Sequence, residues 1–161
     1  VPDLDEWLAH GTDRLLRFAY LQCGSTELAQ DVVQDVVVDL LRHRARLERE
    51  VEVIDAYSRR AVVNRLRSVW RHRAVQQAHP VPPPAVVRHD DAVVEDLDLQ
   101  RRLARLPARQ RAAVVLRYYE DYSHRDIAVV LGCTESSARS LLTRALQSLR
   151  ATAPETHGAP R

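Results

Sequence analysis

Two runs of this chain carry side chains suited to nucleic-acid chemistry. One is residues 134–144, TESSARSLLTR, in which Thr134, Glu135, Ser136, Ser137, Arg139, Ser140, Thr143 and Arg144 are polar or charged. The other is residues 59–73, RRAVVNRLRSVWRHR, in which six arginines are interleaved with Asn64, Ser68 and Trp70. Arginine meets phosphates and guanine edges, and asparagine and serine meet base edges. An aromatic ring can stack on an unpaired base. No acidic residue falls between Asp55 and Asp90 to neutralise the arginine run. A third group, Asp31, Gln34, Asp35 and Asp39, has carboxylates at helical spacing. Such pairs can serve acid–base or cation chemistry, but no glycine-rich phosphate loop or catalytic constellation accompanies them. No catalytic residue is assigned. Cys23, Cys133 and the histidines have no metal-ligand spacing, so no metal or cofactor is expected and both thiols are expected to be buried and reduced.

The elements that must position these residues read as helices. Pro107 suits the first turn of one, with Val114, Val115, Tyr118 and Tyr119 on its apolar side. Ser123 with Asp126 forms a capping box for a short helix, and Gly132 suits its left-handed end. Thr134 then caps a last helix, whose Ala138, Leu142, Ala145 and Leu149 fall on one face. Helix, tight turn and helix with early polar residues is the pattern of a helix-turn-helix reader. The plainer alternative is a small three-helix bundle with a wet, charged face.

The amino-terminal part follows the same logic. Residues 3–22 read as one helix, or as a pair broken near His10–Gly11–Thr12 and recapped by Thr12. Ser25 caps a helix over about 26–43, with Leu28, Val32, Val36 and Leu40 on its core face and Val33, Val37 and Leu41 beside them. Residues 44–54 are a connector or a fraying helix end. A long helix from about Asp55 to Arg73 has a core stripe of Tyr57, Ala61, Val62, Leu66, Val69 and Trp70. The run HPVPPP at 79–84 interrupts helix and makes a semi-stiff spacer. A further helix is expected over 91–106.

The fold class is therefore all-α: two small helical domains joined by a flexible proline-rich linker, the second a helix-turn-helix domain. The expected divisions are 1–76, a linker at 77–90, 91–150 and a disordered tail at 151–161. Charge is graded along the chain: residues 1–50 hold 6 basic and 10 acidic side chains, and residues 101–161 hold 11 and 5. Such a gradient suits a protein that touches both another protein and nucleic acid. No apolar run approaches the roughly 20 residues that span a bilayer, so a cytoplasmic protein without membrane insertion is expected.

These patterns resemble the extracytoplasmic-function sigma factors, the smallest class of the bacterial sigma-70 family, over about residues 5–150. LPARQRAAVVLRYYEDYSHRDIAVVLGCTESSARSLLTRALQSLR looks like region 4, TELAQDVVQDVVVDLLRH like regions 2.1–2.2, and SRRAVVNRLRSVWRHR like regions 2.3–2.4. The valine–asparagine followed by serine and tryptophan resembles an actinobacterial subgroup. The resemblance implies a dissociable promoter-specificity subunit, not an enzyme. It implies that Thr134, Glu135, Ser136, Ser137, Arg139, Ser140, Thr143 and Arg144 meet the −35 element. It implies that Arg60, Asn64, Arg67, Ser68, Arg71 and Arg73 meet the −10 element. Asp31, Gln34 and Asp35 would dock on the β′ clamp helices of core RNA polymerase, and the second domain near its β flap. Promoter DNA and an anti-sigma factor complete the implied partners. Val37, Leu40, Ser68 and Leu141 depart from residues common at these positions. The readings that remain beside it are a stand-alone helix-turn-helix regulator and a helical protein-interaction module.

Overall fold

A computed structural model describes residues 3–48, 54–76 and 93–152. The expected linker at 77–90, and the tail beyond residue 152, lie outside the described residues. The described secondary structure is helical: α1 (Leu4–Cys23), α2 (Thr26–Arg42), α3 (Arg44–Leu47), α4 (Ile54–Gln76), α5 (Val93–Ala104), α6 (Ala108–Tyr118), α7 (His124–Leu131) and α8 (Glu135–Ala151). They form two clusters, α1–α4 and α5–α8.

In the first cluster α1 packs on α2 and α4. Asp3 caps α1 and Gly24 ends it in the left-handed conformation, at φ 66°. The helix runs straight through Gly11, so of the two readings of residues 3–22 the single helix holds. Thr12 does not recap it; its hydroxyl donates back to Leu8 O at 2.8 Å, inside the helix. Gly11 is small because Trp7 lies over it: a Cβ there would stand 2.6 Å from the indole Cε2. That indole is held, since Trp7 Nε1 donates to Asp55 Oδ1 at 2.7 Å across to α4. Gly11→Ala is therefore expected to destabilise by about 1–3 kcal/mol through overpacking. An ordinary mid-helix glycine would give the opposite sign, a gain of about 1 kcal/mol. Thermal melting of the variant distinguishes the two.

Ser25 caps α2 by accepting from Leu28 N at 3.2 Å. Val32, Val33, Val36 and Leu40 are buried as expected, together with Ala29. Leu41, expected beside that stripe, is 47% exposed because the helix turns it toward solvent. Residues 44–47 form the short helix α3. Arg44 binds it to the start of α1, with Nη2 2.6 Å from Asp5 Oδ2 and Nε 2.7 Å from Glu48 Oε1. The buried stripe of α4 differs from the expected one. Ile54, Ser58, Arg59, Val62 and Leu66 are buried, while Tyr57, Ala61, Val69 and Trp70 are only partly covered.

In the second cluster α8 packs on α6 and α7. Pro107 stands one place before the first turn of α6, in an extended conformation. Val114 and Val115 are buried, but Tyr118 and Tyr119 are 56% and 43% exposed, because α6 ends there. The capping box of Ser123 and Asp126 is present, and Gly132 ends α7 at φ 62°. Ala138, Leu142 and Ala145 are buried beneath α8. Cys23 is buried, whereas Cys133 is only partly covered, which corrects the expectation of two buried thiols. Burial pushes the Cys23 thiol pKa up, so that thiol stays protonated.

The clusters are packed against each other: α1 meets α5 and α6, and α4 meets α7. Among the described residues no helix is long and apolar enough to cross a membrane, and no group of three or more His, Cys, Asp or Glu could hold a metal ion.

Candidate nucleic-acid interface

The amino-terminal end of α8 is built by local hydrogen bonds. Thr134 Oγ1 accepts from Ser137 N at 3.1 Å and donates to Ser137 Oγ at 2.9 Å. This orders the first turn and leaves Glu135, Ser136, Ser137, Arg139, Ser140, Thr143 and Arg144 exposed on the side away from the core. The structure brings this set together as one polar face. Besides Ser137, three members of the set are already engaged. Arg139 Nη2 donates to Glu135 Oε1 at 2.7 Å, with both side chains about half exposed, and Thr143 Oγ1 donates to Arg139 O at 3.0 Å. An exposed pair of this kind contributes little to stability, so Arg139 can leave Glu135 for a phosphate.

The α4 set divides. Arg60, Asn64, Arg67, Ser68 and Arg71 are exposed and fall on one face at helical spacing. Arg73 is exposed too, but lies roughly 200° round the helix from Arg71. Its charge is felt instead by Cys23 at the end of α1. Arg65 is a structural residue: it donates to Asp35 Oδ2 at 3.2 Å and to Asp39 Oδ2 at 2.6 Å, clasping α4 to α2. The Asp39 hydrogen bond pushes the Arg65 pKa up, keeping it charged. A cleft of about 320 Å³ on this side is lined by Asp39, Tyr57, Arg60, Asn64 and Ser68 among others.

Arg59 departs furthest from an exposed basic face. It is completely buried. Its Nη2 donates to Glu120 Oε2 at 2.7 Å and its Nη1 to Asp55 Oδ1 at 3.0 Å. Glu120 follows α6, so this pair joins the two clusters. Arg14 approaches the same carboxylate at 3.9 Å. Tyr122 sits beside them, its pKa pushed up to about 12, chiefly by burial. Trp70 is no free stacking platform either: the Arg111 guanidinium lies over its ring, 5.5 Å from the centroid.

On α2, Asp31, Gln34 and Asp35 are exposed together. Val38 and Leu41, 40% and 47% exposed, continue the same face. Sequence reasoning missed these two as surface residues. The signal was available: they follow Gln34 by four and seven residues, the spacing of one helical face.

The comparisons with known proteins follow this division. A family model described as "Sigma-70 region 2" matches residues 9–75, and one described as "Sigma-70, region 4" matches residues 96–149. An RNA polymerase sigma-E factor of Streptomyces coelicolor is 31% identical over 153 residues, covering 93% of this chain and 85% of that one. The ECF RNA polymerase sigma factor SigM of Mycobacterium tuberculosis is 32% identical over 133 residues, covering 82% and 67%. Among solved structures, the sigma factor RpoE in complex with the anti-sigma factor NepR, from Bartonella quintana, superposes with a TM-score of 0.78 at 25% identity, covering 94% of this chain and 96% of that one.

Proposed function

The chain belongs to the sigma-70 family, in its extracytoplasmic-function class, and from that premise we propose how its surfaces divide the work of promoter recognition. It is an RNA polymerase sigma factor, a specificity subunit that recognises promoter elements and carries no catalysis of its own. The observation that carries the division is the presence of three separate exposed faces on one chain. They are the acidic–apolar face of α2, the arginine–asparagine face of α4 and the polar face of α8.

In this reading residues 1–76 form the first domain and residues 91–150 the second, joined through 77–90. Asp31, Gln34 and Asp35, with Val38 and Leu41, dock on the β′ clamp helices of core polymerase. The second domain docks near the β flap. Thr134, Glu135, Ser136, Ser137, Arg139, Ser140, Thr143 and Arg144 enter the major groove of the −35 element. Arg60, Asn64, Arg67, Ser68 and Arg71 hold the opened −10 strand, with Arg73 reaching its phosphates from the far side of α4. The cleft beside Tyr57 and Asn64 receives a base turned out of the stack, whose unstacking costs a few kcal/mol. An anti-sigma factor, such as accompanies the Bartonella relative, would cover the faces used for polymerase or DNA.

Run-off transcription with purified core polymerase and a promoter library tests this. Factor-dependent start sites are expected. Their absence from every template, with a folded factor and active core, would falsify the reading. A finer test addresses α8. Arg139→Ala is expected to reduce the slope of log K against log[salt] by about 0.9, the value for one phosphate contact. An unchanged slope in a promoter-binding titration would mean that Arg139 stays with Glu135 and meets no phosphate.

A further inference from the structure

A cleft of about 320 Å³ opens where residues of α1, α4, α6 and α7 come together. That volume is at the lower end of small-molecule sites. The promoter reading gives its inner end no task. We propose that this cleft binds a small organic phosphate of mononucleotide size, with the phosphate at a mouth of arginines and an acceptor of its ring on Gln22. Such a molecule engages Arg60, Asn64 and Arg67, and so competes with the −10 strand for them. The competition rests on the assignment of α4 to that strand made above; the binding site does not.

Three exposed guanidiniums line the mouth: Arg60 and Arg67 on α4 and Arg109 on α6. None of the residues lining the cleft is acidic. Other arginines of α4 are paired, Arg59 with Glu120 and Asp55, and Arg65 with Asp35 and Asp39. Arg60 and Arg67 have no such carboxylate among the described residues. Arg60 and Arg109 converge from two helices on the end of α7. Arg60 Nη2 is 3.6 Å from where a Cβ on Gly132 would stand, and Arg109 Nη2 donates to Leu131 O at 3.0 Å. Arg109 keeps further N–H groups for a ligand. Like charges gathered round one cleft repel, and an anion relieves them. A phosphate, with nearly two negative charges and three acceptor oxygens, matches the planar fork of arginine.

The inner end has different chemistry. Gln22 of α1 is only 3% exposed, and its Nε2 has no hydrogen-bond partner among the described residues. A buried donor left unpaired is costly and uncommon, so it marks a place where an acceptor belongs. A ring nitrogen or a carbonyl oxygen of a ligand supplies one. Between Gln22 and the mouth stand Val63 and Trp70 of α4 and Leu131 of α7, an apolar lining suited to a flat body. A cleft polar at both ends and apolar between fits a ring carrying a phosphate better than a bare anion. Its positive mouth repels a metal cation. Arg60 and Asn64 also line the cleft beside Tyr57. A molecule holding them from the first cleft therefore withdraws them from a strand at the second.

Calorimetric titration of the full chain tests this, with adenosine 5′-monophosphate as probe and adenosine and inorganic phosphate as its two halves. The nucleotide is expected to bind with a Kd below about 1 mM. Each half alone should bind roughly tenfold more weakly or worse, since linking two moieties adds affinity without new contacts. Gln22→Leu removes the inner donor and should weaken the nucleotide about tenfold. Arg109→Ala removes a charge-assisted bond and should do the same. Neither residue belongs to the faces assigned to polymerase or promoter. The nucleotide should raise the melting temperature of wild type and of neither variant, and melting without it shows that each is folded. Should one variant melt early, the other decides. Tyr57→Ala, in the second cleft, should leave nucleotide affinity unchanged. No nucleotide binding, inorganic phosphate binding equally well, or full affinity in the folded variants overturns the site. The nucleotide should also displace a single-stranded oligonucleotide from wild type; binding that spares the oligonucleotide overturns the competition. Absent factor-dependent transcription, with nucleotide binding and its loss in Gln22→Leu intact, would count against the promoter reading and not against the site.

Discussion

Truncating Phe18 to alanine is expected to destabilise the first cluster by about 3–5 kcal/mol, a large fraction of the stability of a small domain. Phe18 is the chain's single phenylalanine and is completely buried in α1, the helix against which both α2 and α4 pack. Its loss removes a large apolar side chain and leaves a cavity that neighbouring residues fill only in part. Both tryptophans, Trp7 and Trp70, belong to this cluster, so their fluorescence reports on it selectively. Urea titration followed by that signal should show a markedly lower midpoint. A shift equivalent to less than about 1 kcal/mol would mean that the site collapses around the missing ring. Because α1 positions the α2 face and the α4 face alike, polymerase binding and strand binding should fall together in this variant.

Asp35→Arg should act differently, lowering affinity for core polymerase roughly a hundredfold, about 2.7 kcal/mol, while the fold survives. The Asp35 side chain is 61% exposed, and its intramolecular partner is Arg65 at 3.2 Å. Arg65 keeps a second and shorter bond to Asp39, at 2.6 Å, so the clasp between α2 and α4 persists. An exposed pair of this kind contributes at most about 1 kcal/mol. The substitution nevertheless turns an acidic point of the proposed docking face basic, and juxtaposed like charges at an interface cost several kcal/mol. Anisotropy titration with core polymerase gives the affinity, and circular dichroism melting gives the fold. Undiminished binding with an unchanged melting temperature would remove α2 from the docking surface.

The two substitutions separate positioning from contact. The first destroys the support beneath two faces, and the second changes one face in place. Polymerase affinity and strand affinity therefore respond in different combinations to the two.

The sequence by itself determined whatever is closed over within a turn or two of helix. The Ser25 cap, the Ser123–Asp126 capping box, the left-handed Gly132 and the Thr134 cap are each satisfied within four residues, so residue type and spacing suffice to read them. Apolar periodicity likewise placed Val32, Val36 and Leu40 inside α2 and Ala138, Leu142 and Ala145 inside α8. Tertiary structure alone decided which arginines are surface and which are structure. Arg59, Arg65 and Arg111 look like their neighbours, yet their partners Glu120, Asp39 and Gln22 lie 61, 26 and 89 residues away. Gly11 is similar: its smallness answers to an indole that core packing and a hydrogen bond to Asp55, 48 residues on, hold in place. A guanidinium carries the same charge in water and in a seam. Its role is set by the carboxylate or carbonyl that the rest of the chain folds against it, and local pattern holds no record of that partner.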